Sequence, residues 1–221
     1  MNSAGRRVAP TAAHAFRGHG ELLAGVLLLL WSTVAALAIW RYPGPNELDR
    51  RGFLAIPPAV HSSFYIGITH LGSIVVLIGG STLAAVVVVG RDRWRAAACL
   101  AGPIAATVVV EWVVKPLVGR RYVGELTFPS GSMTVVASLA TAWALAVPRK
   151  LLPFALTAGA IVVVLMGLAV VGLRWHYPSD TLVGASFGAG FVLTFDALLQ
   201  QVRLRGAWGT PSRTTGMRHP V

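Results

Sequence analysis

Charge is what this sequence has least of. Of 221 residues, 12% are Asp, Glu, Lys or Arg, while 55% are apolar and the mean hydropathy is +0.67. A water-soluble domain of this length does not expose so few ionised groups. Lysine is scarcer still: Lys115 and Lys150 are the only two among 19 basic residues. A lysine near a potential site is therefore informative. Cysteine occurs once, as Cys99 inside an apolar run, which excludes an intramolecular disulfide and reads as a small buried hydrophobe. His61 and His70 belong to no cluster of Cys, His and acidic residues at metal-ligand spacing. No metal or other cofactor is expected. The net charge of +11 would suit a nucleic-acid partner, but the basic residues lie in short loops between apolar runs. Membrane topology and anionic headgroups account for them, and no nucleic acid is expected.

Apolar stretches near twenty residues recur along the chain, the mark of an integral membrane protein. The expected fold is all-α, a bundle of six transmembrane helices. The spans read Leu22–Trp40, a segment within Ser62–Gly90, Ala96–Lys115, Gly131–Val147, Leu151–Leu173 and Asp180–Leu199. Gly52–Val60 is apolar but broken by Pro57 and Pro58, so it is placed at the interface. The domain reading is a polar tail over 1–20, without the apolar core or cleavage site of a signal peptide, a six-span unit over 21–202 and a basic tail over 203–221. Twelve basic residues fall in the termini and the loops after spans two and four, against seven on the other side. The positive-inside rule puts the termini in the cytoplasm and the loops after spans one, three and five outside. Trp40, Trp112, Trp143 and Trp175 lie near span ends as interface anchors. Gly184, Gly188 and Gly190 favour close helix packing, and Asp196 is placed to snorkel or to pair with Arg203.

Two outward loops hold the candidate chemistry: "EWVVKPLVGRRYVGELTFPSGS" (Glu111–Ser132) and "LRWHYPSD" (Leu173–Asp180). Lys115, Arg120 and Arg121 offer cationic donors for phosphate oxygens. Ser130, Gly131 and Ser132 open a span, where outward-pointing N–H groups favour an anion, and Gly131 lets it approach the backbone. His176 precedes Asp180 by four, so on a helical turn the carboxylate would hold one ring nitrogen and leave the other as a nucleophile. Singly, these are ordinary features: snorkelling charges, a helix cap, a capping pair, and a Glu111–Lys115 pair neutralising itself. Together, in this order and at one membrane face, they point to phosphoryl transfer.

At these residues the sequence resembles the type 2 phosphatidic acid phosphatase superfamily, the lipid phosphate phosphatases and their bacterial undecaprenyl-diphosphate phosphatase relatives. Its three signatures are Lys-x6-Arg-Pro, Pro-Ser-Gly-His and Ser-Arg-x5-His-x3-Asp. "KPLVGRRY" keeps Lys115 and, with one residue deleted, Arg121, while Tyr122 replaces the proline and Arg120 shares the cationic role. "HYPSD" keeps His176 and Asp180, but Ala169-Val170 replaces Ser-Arg; Arg174, one helical turn beyond Val170, is positioned as a substitute. The resemblance implies that His176 attacks phosphorus and Asp180 orients it. It also implies that position 132 should protonate the leaving oxygen, and there the sequence has Ser132. Loss of a general acid costs about 10²–10⁴-fold. A phosphate leaving from a diphosphate is already a stable anion and needs that proton far less than an alkoxide does. The resemblance and Ser132 together favour a polyprenyl-type lipid diphosphate as substrate, cleaved without metal. The alternatives are an impaired family member that binds lipid phosphates or a partner protein, and a transporter, for which no inverted repeat is evident.

Overall fold

A computed structural model describes residues 12–208, and the side chains of 19–205. The two expected tails lie partly outside the described residues. Where described, they are helical: α1 (Ala12–Arg41) starts within the first, and α9 (Pro178–Trp208) runs into the second. Between them come α2 (Glu47–Ala55), α3 (Ser63–Thr69), α4 (Ile74–Val89), α5 (Arg93–Val109), α6 (Lys115–Val118), α7 (Gly131–Ala146) and α8 (Leu152–Gly172). A 3₁₀ turn at His70–Gly72 links α3 to α4, and a π-helical turn at Val110–Val114 links α5 to α6. The strands among the described residues are β1 (Arg121–Tyr122) and β2 (Glu125–Leu126), a hairpin pairing Arg121 with Leu126 and Tyr122 with Glu125.

The chain is thus essentially helical, and its apolar helices mark a membrane protein. Four segments are long and apolar enough to cross a bilayer: His19–Arg41, Arg93–Val118, Arg149–Gly172 and Pro178–Arg205. A fifth appears if Ser63–Gly72 and Ile74–Val89, bent by 52°, count as one span. The expected fourth span is the short one. α7 has 16 residues, about 24 Å at 1.5 Å per residue, against a hydrocarbon core of about 30 Å. Its ends are fixed chemically. Ser130 caps the start, and Val147 is driven into extended backbone by Pro148.

Interhelical contacts set the directions. A Cβ at Gly184 would strike the Ser130 carbonyl and one at Gly188 the Thr134 carbonyl, so α9 lies directly along α7 in the same sense. Gly190 meets Leu28 and Gly25, which runs α1 antiparallel to α9. Cys99 Sγ reaches the Ala142 carbonyl at 3.4 Å, and Gly159 packs on Ala140, so α5 and α8 run against α7. The ends of α5 and α8 and the starts of α4, α7 and α9 therefore gather at one face. At the opposite end Arg95 joins Asp196 (2.8 Å) and Glu21 (3.1 Å), tying α1, α5 and α9. Asp196 is thus paired with Arg95, and Arg203 instead meets Asp92 at 3.1 Å, holding the extension of α9.

Candidate active site

The α5–α6 pass supplies the first pair of groups. Its π-helical turn precedes Lys115, whose N–H bonds the Val110 carbonyl. Such single π turns widen a helix locally and often occur at functional sites. Lys115 Nζ sits 2.8 Å from Glu111 Oε1 and 2.9 Å from Oε2. The pair is not merely lateral: a Cβ at position 131 would collide with Glu111 Oε1, so the carboxylate lies against the first residue of α7.

The second group is that helix start. Ser130 is fully buried; its hydroxyl accepts from the Met133 N–H, and its own N–H donates to the Asp180 carbonyl at 3.0 Å. The N–H groups of Gly131 and Ser132 follow, in the first turn, where a helix has no internal acceptors to offer. Ser132 packs against Gly72, where an added Cβ would lie 2.7 Å from the serine Cβ.

The third is His176, in the turn between α8 and α9. Its Nδ1 is 2.9 Å from the Thr127 carbonyl and 3.8 Å from Asp180 Oδ2. A carbonyl only accepts, so Nδ1 carries the hydrogen, and Nε2 is the nitrogen left for chemistry in a neutral ring. The expected Asp180–His176 hydrogen bond is replaced by this backbone contact. Thr127 is held by its N–H to the Arg120 carbonyl at 3.0 Å, so the hairpin aims the carbonyl that aims the imidazole. Asp180 acts one step back: Oδ2 accepts the Tyr177 N–H at 3.1 Å, and Oδ1 accepts from Arg120 at 2.5 Å.

Lys115, Gly131, Ser132 and His176 line one cavity of about 270 Å³, together with Glu111, Thr107 and the apolar Ile74, Leu77 and Val135. The three arginines expected to bind phosphate go elsewhere. Arg120 is fully buried: Nε donates to the Pro43 carbonyl, Nη1 to Ser179 and Asp180, and Nη2 to the Gly44 carbonyl and Asp49 (2.6 Å). Those contacts use its five donors, and releasing it would leave two buried carboxylates facing each other. Arg121 is exposed on the hairpin and donates to the Gly124 carbonyl at 2.7 Å. Arg174, at φ 59°, caps the end of α2 by donating to the Phe53 and Ile56 carbonyls, both at 3.1 Å, with its guanidinium over the Phe53 ring. Ser130 positions the helix start without lining the cavity.

Asp49 and Thr127 were not singled out from the sequence. Asp49 forms a capping box with Asn46, a pattern visible in "NELD", and also accepts the Ser179 N–H at 2.8 Å. Its link to Arg120 crosses 71 positions and has no local signal. Tyr177 covers the Arg120 guanidinium at 4.1 Å; burial pushes its phenol above the ordinary range, with Arg120 opposing. A larger groove, about 590 Å³, lies between α1, α7, α8 and α9 toward the far end, lined mainly by Ala and Leu. It contains no candidate nucleophile of the His or Cys type.

Fold and cavity together define a helical membrane protein with a histidine, a lysine and a helix start converging at one face. Over 67 residues the chain is 39% identical to lipid A 1-phosphatase of Rhizobium johnstonii. That stretch covers 30% of this chain and 25% of the relative, so the match spans about a quarter of the relative's length. No family model matches the chain, and no solved structure matches it at a significant level.

Proposed function

We propose that this protein is a membrane lipid phosphatase that works through a phosphohistidine on His176. The observation that carries the proposal is the meeting of Lys115, Gly131, Ser132 and His176 around one cavity, with His176 Nδ1 committed to a backbone carbonyl. The partial likeness to a lipid A phosphatase supports a lipid-linked phosphate as the substrate class. Nε2 attacks phosphorus, the bond to the leaving oxygen breaks, and water then attacks the phosphohistidine to release orthophosphate. Lys115 and the Gly131 and Ser132 N–H groups stabilise the charge on the transferring group. Ser132 favours a leaving group that departs as a stable anion, hence a diphosphate, and a polyprenyl tail is our preferred carrier. The chain crosses the cytoplasmic membrane six times, with α7 as the short crossing, its termini inside and the cavity outside.

One observation favours a second reading. With Arg120, Arg121 and Arg174 engaged elsewhere, Lys115 is the cavity's one basic lining residue among the described residues, and it is paired with Glu111. A weakly active relative that binds lipid phosphates has such a pocket. Phosphate release from a polyprenyl diphosphate and from its monophosphate, measured with purified protein in detergent, separates the two. Hydrolytic function predicts release from the diphosphate that falls to background in His176→Ala. No release from either lipid by folded protein leaves the binding role.

A further inference from the structure

Taking the phosphatase function above as its basis, we infer that Glu111 is an internal competitor for the phosphate seat, and that it sets a threshold only a membrane-anchored phosphate passes. The Glu111 carboxylate is bonded to Lys115 through both oxygens, at 2.8 and 2.9 Å, and rests against Gly131, where a side chain would collide with Oε1. A phosphate reaching Lys115 and the Gly131 and Ser132 N–H groups needs the space this carboxylate holds. Glu111 lines the same cavity as His176 and is 39% exposed at its side chain, so an arriving group can reach it and it has an open side to swing toward. Glu111 lies in the π-helical turn, four residues before its partner Lys115.

Charge decides the consequence. Lys115 and Glu111 cancel, so the cavity presents no net cation to a free anion in solution. Orthophosphate must break the pair and then sit beside a carboxylate of its own sign, with only Lys115 and the two N–H groups to hold it and no tail to anchor it. A lipid phosphate brings its tail, already held by the bilayer beside the cavity, and the membrane supplies the local concentration that the seat's weak intrinsic affinity lacks. After hydrolysis the released orthophosphate has no tail. The returning Glu111 carboxylate displaces it, which makes the same side chain an aid to product release.

The test is orthophosphate binding by calorimetry on full-length protein in phosphate-free detergent buffer. Glu111→Gln keeps the size and removes the charge; it is expected to bind orthophosphate roughly tenfold or more tightly than the wild type. Glu111→Asp keeps the charge beside Lys115 but draws the carboxylate back from Gly131 by one methylene. It preserves the ion pair the fold experiences and is expected to shift affinity in the same direction, less far. In turnover, inhibition by added orthophosphate strengthens in both variants. Equal or weaker orthophosphate binding in the variants overturns the inference, as does absence of binding in all of them. Neither result bears on the phosphatase proposal, which stands or falls on phosphate release and its loss in His176→Ala.

Discussion

In the proposed phosphatase, position 132 carries a hydroxyl where proton transfer to an alkoxide would need a group that gives up a proton at neutral pH. Ser132 lines the cavity beside His176 with Gly72 packed closely against its Cβ, so a larger side chain has room only toward the cavity. Ser132→His is therefore expected to raise hydrolysis of a lipid monophosphate by about 10²–10⁴-fold, with a much smaller gain on the diphosphate. Rates on the two matched lipids check this; an equal gain on both would refute the leaving-group account of Ser132. Lys115, Gly131, Ser132 and His176 were readable as a group because residue type and order are written in the motifs. The arginines were not. Arg120, Arg121 and Arg174 have the right charge at nearly the right spacing, yet spacing does not reveal which carbonyls are left without donors. Arg174 answers the end of α2, and Arg120 answers Asp49, 71 positions away. The carbonyl that orients His176 belongs to the backbone of Thr127 and leaves no trace in side-chain chemistry.

Among the elements, the β1–β2 hairpin has the most leverage for its size, since it positions the Thr127 carbonyl. Its turn places Val123 at φ 51° and Gly124 at φ 88°. Glycine accepts that conformation; a β-branched residue is strained in it. Val123→Asn gives the Asn-Gly pair that such turns prefer and is expected to stabilise the protein by roughly 1 kcal/mol, without loss of phosphate release. Thermal unfolding in detergent checks the sign, and a lower midpoint would mean that the exposed valine contributes something the backbone geometry does not reveal. The helical passes were visible in hydropathy because each is an apolar run longer than its caps. The bounds of α7, expected at Gly131 and Val147, were visible too, but the break between α3 and α4 was not, because it depends on where a cap restarts a helix within an apolar stretch. Ser130 and Pro148 bound α7, and Ser73 restarts the chain as the N-cap of α4.

At the scale of the molecule, the described start of α1 and end of α9 lie at the end opposite the cavity, as the directions of α1, α7 and α9 require. Cys99 is fully buried, so introduced thiols can report sidedness. Glu125→Cys, on the exposed hairpin, is expected to react with a membrane-impermeant maleimide in intact cells. Lys150→Cys, exposed at the other end, is expected to react only after the membrane is opened. The reverse pattern would invert the orientation and put the cavity inside. The short α7 then bears on the bilayer itself. α8 has 21 residues and α7 has 16, and joined by a tight turn at one end they differ at the other by about 7 Å. The cavity floor is thus sunk below the rim set by its neighbours. In the proposed topology a headgroup enters only by dipping beneath the plane of the leaflet, or where the leaflet thins to meet it. For the proposed phosphatase, thickness of the surrounding lipid becomes a term in the reaction, and short-chain membranes, whose surface lies nearer that floor, are expected to be the ones in which it works with least deformation.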